Sequence, residues 1–562
     1  MKLIVLYLSV YTSLFISCNN EGNNSDGAGK KNKKISSRNY SINASNAYSD
    51  LFLDSADVEK FISEKKIPDS VARRIRSFYN SRNFEFAWFS SDGLTEQARG
   101  FWNLHNNYTS STNDTTLDNK ALKKRMDKLI AQESISPSAK DKSYINTELQ
   151  LTSDFISHTL LTYEEDYVKR KEMERYVPAS KQDAVYLADS LLKKKHKDDK
   201  YYEDVNPSYG LLKEKLAAYY NIYEKGGWPV IAAKKKTYKK GMTAAEISLI
   251  KKRLQLTGDM AEGDTSQVFN DTLQQGVKKF QQRHGLETNG IITEPTLKEM
   301  NVPVTHRIQQ LLINMDRMRW LPVQPKGNLI TVNIPAFMLH VTDGNKKVFD
   351  MDVVVGKEGH DTRIFTGNLN QVVFSPYWNV PESIVKKEIL PAIEKDPGYL
   401  EKENMEITGE KDGLPEIRQK PGRENALGKV KFLFPNSFNI YFHDTPSKSL
   451  FSKDKRAFSH GCIRLSDPVK MANYLLRSQP EWDAAKIEKA MNSGEEKFVK
   501  LKKPVPVLIT YYTAWVDEDG QLNFREDIYG HDAQLTKKMF TSPQPLSLLL
   551  RPWRIAMTER GA

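Results

Sequence analysis

At 562 residues the chain is long enough for two or more separately cored domains. Its hydrophobic content of 39% and charged content of 27% are those of an ordinary globular protein. The net charge of +12 suits an anionic partner such as nucleic acid, a membrane or a wall polymer, and equally a solvated lysine-rich surface, but no nucleic-acid-binding motif is present.

Lys2 precedes an apolar run from Leu3 to Ile16 that is short for a bilayer span and reads as a signal-peptide core. The run ends in Phe15-Ile16-Ser17-Cys18, which resembles a bacterial lipobox with Phe15 where leucine is usual. The resemblance implies removal of residues 1–17, lipidation of Cys18 and a periplasmic, lipid-anchored place in the cell envelope. The other reading is a plain secretory signal with an incidental cysteine. Residues 18–47 begin with almost no apolar side chains and are expected to form a flexible tether. Because Cys18 lies at that end, Cys462 is expected to be a free thiol, and a free thiol kept in an exported protein points to chemistry.

Residues 48–240 carry helical periodicity, with Ser55 as a candidate N-cap ahead of Val58, Phe61 and Ile62. The aromatic stretch Phe84–Phe89 reads as a strand or a packed turn. No catalytic constellation occurs here, and the region is read as a helical scaffold. Residues 241–301 change character. One helix covers "AAEISLIKKRLQL", and a second places Leu273, Val277 and Phe280 on one face. A third, short helix is expected after Thr293 with Pro295 in its first turn. The phrase "FQQRHGL…NGIITEPTLKEMN" resembles a small three-helix peptidoglycan-binding module.

Residues 302–325 read as a connecting helix. From about 326 to 535 the period shifts from 3.6 towards 2. "NLITVNIPAFMLHV" and "KVFDMDVVVG" are expected to form a hairpin around Asp343-Gly344-Asn345. "QVVFSPYWNVP", "FNIYFHDTP" and "VPVLITYYTAWV" supply further strands, and residues 536–562 read as a tail. The fold class is therefore multidomain α+β: helical scaffold, three-helix module and mainly-β C-terminal domain.

In "FSHGCIRLSDP" the thiol of Cys462 needs a base and oxyanion donors to act as a nucleophile. Two histidines are available. His443 ends the strand "FNIYFH", where alternation sets Asn439, Tyr441 and His443 opposite the core face of Phe438, Ile440 and Phe442. His460 is two positions from the cysteine and less free to reach it. The order of His443, a spacer, then Ser459-His460-Gly461-Cys462 resembles the L,D-transpeptidase signature, and Ile463-Arg464 fits one form of its continuation. With the scaffold and wall-binding module, the resemblance extends to the larger, lid-bearing subclass. It implies a lid over Cys462 at about 382–430.

That resemblance implies attack of Cys462 on the third stem residue of a tetrapeptide, a thioester, and transfer to a neighbouring amine as a 3→3 cross-link. His443 would be the base and the N–H groups around Gly461 and Cys462 the oxyanion donors. His460, also counted among the catalytic residues, would brace the loop and offer a hydrogen bond to substrate, and Tyr441, Ser459, Arg464, Trp378 and Asn379 would contact substrate. Arg464 could hold a substrate carboxylate or brace the loop. The positive end of a helix capped by Asp467 and the base His443 lead to an expectation of a reactive thiolate at neutral pH. The implied partners are peptidoglycan stem peptides and glycan, a membrane through the lipid, and carbapenem-type inhibitors, with no metal or other cofactor. Water, a lipoprotein lysine or a D-amino acid could also resolve the thioester, and a non-catalytic wall-binding lipoprotein is the alternative outside the enzyme class.

Overall fold

The computed structural model describes residues 35–541 except 113, 133, 163–176, 194–202, 204–205, 323–326 and 345. The signal peptide, Cys18 and residues 542–562 lie outside the described residues. Among the described residues no helix is long and apolar enough to cross a membrane.

The N-terminal region is built from helices including Ser55–Glu64, Asp69–Ser81, Glu96–Ser111 and Lys142–Thr162 around a core with Tyr79, Phe86, Trp88, Phe101 and Phe155. The N-cap of the first helix is Asp54, which accepts from Ala56 N, and Ser55 is already helical. The Phe84–Phe89 stretch is a packed segment, bridged at Glu85 to Phe52 and paired through Phe89–Ser90 to Gly93–Leu94. The expected tether is too long. Residues 36–47 dock on the scaffold: Asn39 N donates to Asn80 O at 2.8 Å, and Ile42 and Ala47 are buried. Apolar side chains at 42 and 47 give that segment surface worth burying.

Helices Ala245–Leu256, Asp271–Arg283 and Glu294–Met300 form the small module, with Leu273, Val277 and Phe280 fully buried together. Thr293 stands at the N-cap of the third, but its side chain makes no capping bond. The helix Val304–Arg319 is more than a connector. Ile308, Leu311, Leu312 and Met315 are buried against the Pro207–Glu224 helix and the segment 514–540. Its Arg317 pairs with Glu96 of the scaffold at 2.6 Å and with Asp532 near the C-terminus at 2.5 Å. Leu535, Met539 and Phe540 belong to that same core, so the chain is packed through 540 and the expected tail begins too early.

The C-terminal domain holds strands β1 Asn328–Asn333, β2 Met338–Asp343, β3 Lys346–Gly356, β4 Phe365–Phe374, β5 Val430–Leu433, β6 Phe442–His443, β7 Ala457–Ser459, β8 Ile463–Leu465 and β9 Lys497–Thr510. Their order is β7-β3-β8-β6-β5-β4-β9-β1-β2, and β2 also pairs with β3, so the sheet curls onto itself. The expected first strand of the hairpin is itself two strands. Pro335 falls in a short 3₁₀ turn and Phe337 takes a φ of 54°, which turns β1 back onto β2. The expected strand 438–443 shrinks to β6, because Asn439 at φ 55° interrupts the extended backbone.

The lid is a folded insert rather than a polar loop. Short helical segments from Glu382 to Lys402 and the hairpin Met405–Lys411/Leu414–Gln419 enclose their own core of Val380, Ile384, Val385, Ile389, Met405 and Ile417.

Candidate active site

Parallel pairing of β6 with β8 aligns Phe442 with Ile463 and His443 with Arg464, which brings the histidine strand beside the cysteine loop. Phe442 and Ile463 are fully buried and fix this register through the core. Tyr441 therefore lies across from Cys462, and its carbonyl accepts from Ile463 N at 3.2 Å.

The thiol is half-buried. Its hydrogen bond runs to Asn439 O at 3.7 Å, and Tyr441 lies close enough to favour the charged form of the sulfur. A carbonyl only accepts, so Sγ–H donates to Asn439 and the resting sulfur is protonated. Burial pushes the thiol up to about 11, against the smaller opposing pull of Tyr441 and Arg464. Burial therefore works against the preformed thiolate expected from the sequence. The helix Pro468–Leu476 does not help, because Asp467 caps it by accepting from Lys470 N at 2.9 Å. At pH 7 iodoacetamide is expected to alkylate the resting thiol roughly two orders of magnitude more slowly than a free thiol of pKa about 8.5. The rate should climb with pH and show no plateau below about 11. Alkylation as fast as the free thiol at pH 7 would contradict this.

His443 is buried, and its Nδ1 lies 2.5 Å from Asp444 O. Because that partner is a carbonyl, Nδ1 carries the proton and Nε2 keeps its lone pair. Burial, and then Arg464, hold the imidazole down at about 3, so it is neutral across the working pH range. Arg464 has its Nε buried without a hydrogen-bond partner among the described residues. Burial lowers its pKa, while Cys462 pulls it the other way.

Two sequence expectations change at the nucleophile loop. Ser459 is buried; its hydroxyl donates to Cys462 O at 2.5 Å and accepts from Gly461 N at 3.1 Å. It braces the loop and is not a substrate contact. The same bond takes Gly461 N–H out of the oxyanion set and leaves the N–H of Cys462, which has no partner among the described residues. Gly461 is needed for its φ of 111°. Trp378 and Asn379 pair with Gln419 and Arg418, and Trp378 packs on the lid core, so their contacts among the described residues place them at the lid's base.

A rear support passed unnoticed in the sequence. Thr362 Oγ1 donates to Gly461 O at 2.8 Å and accepts from Gly356 N at 2.9 Å. Tyr529 donates to Gly356 O at 2.6 Å, its N–H donates to the Tyr511 hydroxyl at 2.9 Å, and Tyr511 donates to Asp527 at 2.7 Å. These residues lie up to 173 positions apart along the chain, and no local pattern marks them. On the other side, His460 packs edge-to-face on His360 at 4.8 Å, and its Nε2 meets Glu388 Oε1 of the lid at 2.9 Å. No group of three or more metal-binding side chains occurs among the described residues.

Residues 327–507 match the family profile of the L,D-transpeptidase catalytic domain, residues 73–216 that of the scaffold domain, and residues 243–300 one described as "Putative peptidoglycan binding domain". A Haemophilus influenzae protein described as "Putative L,D-transpeptidase" is 31% identical over 257 residues, 43% of this chain and 50% of that one. The chain thus spans about half the length of that curated relative. A solved L,D-transpeptidase from Mycobacterium smegmatis aligns over 33% of this chain and 58% of its own at 15% identity and a TM-score of 0.19. One from Stackebrandtia nassauensis aligns over 50% and 97% at 14% identity and a TM-score of 0.21.

Proposed function

We propose that this chain, which carries an L,D-transpeptidase catalytic domain beside a scaffold domain and a peptidoglycan-binding domain, joins peptidoglycan stem peptides by 3→3 cross-links through a thioester on Cys462. The observation that carries the reading is the tautomer of His443. Its Nδ1–H is spent on Asp444 O, which leaves a free Nε2 base beside the strand of a half-buried thiol.

In this reading the S–H bond breaks and its proton, hydrogen-bonded to Asn439 O at rest, passes to His443 Nε2 as sulfur attacks the carbonyl of the third stem residue. The N–H of Cys462 and the Tyr441 hydroxyl face the developing oxyanion. The C–N bond breaks, the leaving D-amino acid takes the proton from His443, and the acyl group stays on sulfur. Arg464, whose Nε has no partner among the described residues, receives a substrate carboxylate through its guanidinium. That contact also offsets the positive charge that depresses His443, so the base strengthens when donor is bound. An acceptor amine then displaces the sulfur. One amide bond replaces another, so no nucleotide is consumed. We place the activity in the cell envelope, on lipid attached to Cys18, where the adjoining module holds the enzyme on wall polymer and carbapenems acylate the same thiol.

The test is incubation with purified tetrapeptide muropeptides and mass spectrometry of the products. Cross-linked dimer with loss of one D-alanine is expected. Tripeptide alone would replace transfer by hydrolysis, and unchanged substrate would sink the enzymatic reading.

A further inference from the structure

The proposed transfer uses one base, His443, on the donor side. The acceptor side has its own requirement: an amine is an ammonium at neutral pH and must lose a proton before it can attack. Water, its competitor for the thioester, carries no charge. A site that favours the amine therefore needs an anion and a proton acceptor beside the nucleophile, on the side where the acceptor enters.

Strand order shows where such groups lie. β8, which follows Cys462, is flanked by β6 on one side and β3 on the other. His443 comes from β6. His460 is on the β3 side, edge-to-face with His360, which follows β3. Across from it the lid contributes Glu388 from the π-turn Val385–Ile389, a rare geometry that recurs at functional positions. Val385 and Ile389 anchor that turn in the lid core, while the side chains of Glu388 and His460 remain 52% and 30% exposed. A surface pair with this much exposure adds little stability. It nevertheless sets a carboxylate of the folded insert on the nucleophile motif, with His460 Nε2 and Glu388 Oε1 2.9 Å apart.

The contact also sets the tautomer. A carboxylate oxygen accepts, so His460 Nε2 bears the hydrogen and its Nδ1 keeps its lone pair. The charged groups facing this ring are Glu388, Lys357 and His360; burial outweighs the carboxylate and keeps the ring below its ordinary value, hence neutral and able to accept. The second oxygen of Glu388 has no partner among the described residues.

We infer that Glu388 and His460 form a second carboxylate–imidazole pair that receives the acceptor ammonium and takes its proton, so that the lid selects amines over water as the group that resolves the thioester. This rests on the transferase reading above. The Glu388 charge draws the ammonium towards this side of the site and holds His460 by Nε2, and His460 Nδ1 takes one proton. The nitrogen lone pair attacks the thioester carbonyl, the C–S bond breaks, and the second amine proton returns to sulfur. The product is an amide and a thiol, and the first proton passes from His460 to solvent.

The experiment separates the two half-reactions in the full chain. Acylation is read as the carbapenem adduct mass against time. Transfer is read as the ratio of cross-linked dimer to tripeptide at varied acceptor concentration. Glu388→Gln keeps the shape and removes the charge. It should acylate within about twofold of wild type, while its dimer-to-tripeptide ratio falls at least about tenfold, within the roughly 10²–10⁴ that general-base groups contribute. Glu388→Asp should recover part of the ratio. An unchanged ratio in Glu388→Gln, or an equal loss in both half-reactions, would overturn the pair's role while leaving the transferase reading intact. Wild type that acylates but never yields dimer would overturn both.

Discussion

Cys462→Ala is expected to abolish both dimer formation and the carbapenem adduct while circular dichroism and melting stay close to wild type. The side chain is half-buried, and its hydrogen bonds are one weak thiol contact to Asn439 O at 3.7 Å and the approach of Tyr441. Replacing it leaves the rest of the loop in place: Ser459 still donates to the carbonyl of residue 462, and Thr362 still holds Gly461 O. The chemistry has no substitute nucleophile, because the other cysteine, Cys18, is 444 positions away at the N-terminus. A carbapenem adduct on Cys462→Ala would show that another group carries the acyl chain.

Gly356→Ala is the second large effect, and it acts through shape alone. A methyl group there would sit 2.0 Å from His360 O, 2.9 Å from Thr362 N and 3.1 Å from Gly461 Cα. All three are backbone atoms, so no rotamer change relieves the clash. Either β3 or the nucleophile loop must move. Overpacking of this kind costs roughly 1–3 kcal/mol. The larger loss is catalytic, since a displacement of about 1 Å at the reacting centre costs on the order of 10²-fold. Gly327→Ala, whose added methyl meets nothing within 4 Å, is the matched control and should keep wild-type turnover. Equal activity in both variants would show that the backbone contact between Gly356 and Gly461 does not set the position of Cys462.

The rear support explains why the loop tolerates an unusual backbone. Gly461 at φ 111° brings the chain close to β3, and the hydrogen bonds from Thr362 and Tyr529 tie both strands to one frame. Tyr511 and Asp527 extend that frame to the segment that also meets the Val304–Arg319 helix. The nucleophile loop and the segment packed on the Val304–Arg319 helix are thus joined through one hydrogen-bonded frame.

Much of the site was legible in the chain itself. Ser459-His460-Gly461-Cys462 is contiguous, and His443 stands at a strand end nineteen positions earlier. Period-3.6 spacing placed Leu273, Val277 and Phe280 on one buried face, because a helix brings residues three and four apart together whatever surrounds it. Such features depend on neighbours along the chain, and a linear reading can follow them. Protonation is different. The thiol at about 11 and the imidazole at about 3 follow from burial by strands that meet only after folding, reinforced for His443 by Arg464 across a parallel pairing. The same holds for the direction of each donor. Ser459 turned inward and took the N–H of Gly461 because β7, which ends at Ser459, pairs with β3. Glu388 reached His460 across 72 positions of sequence because the lid folds around its own apolar core. Residue identity and local period are carried by the chain alone; the dielectric around a titrating group and the partner each polar atom meets are properties of the packed interior, and they were decided there.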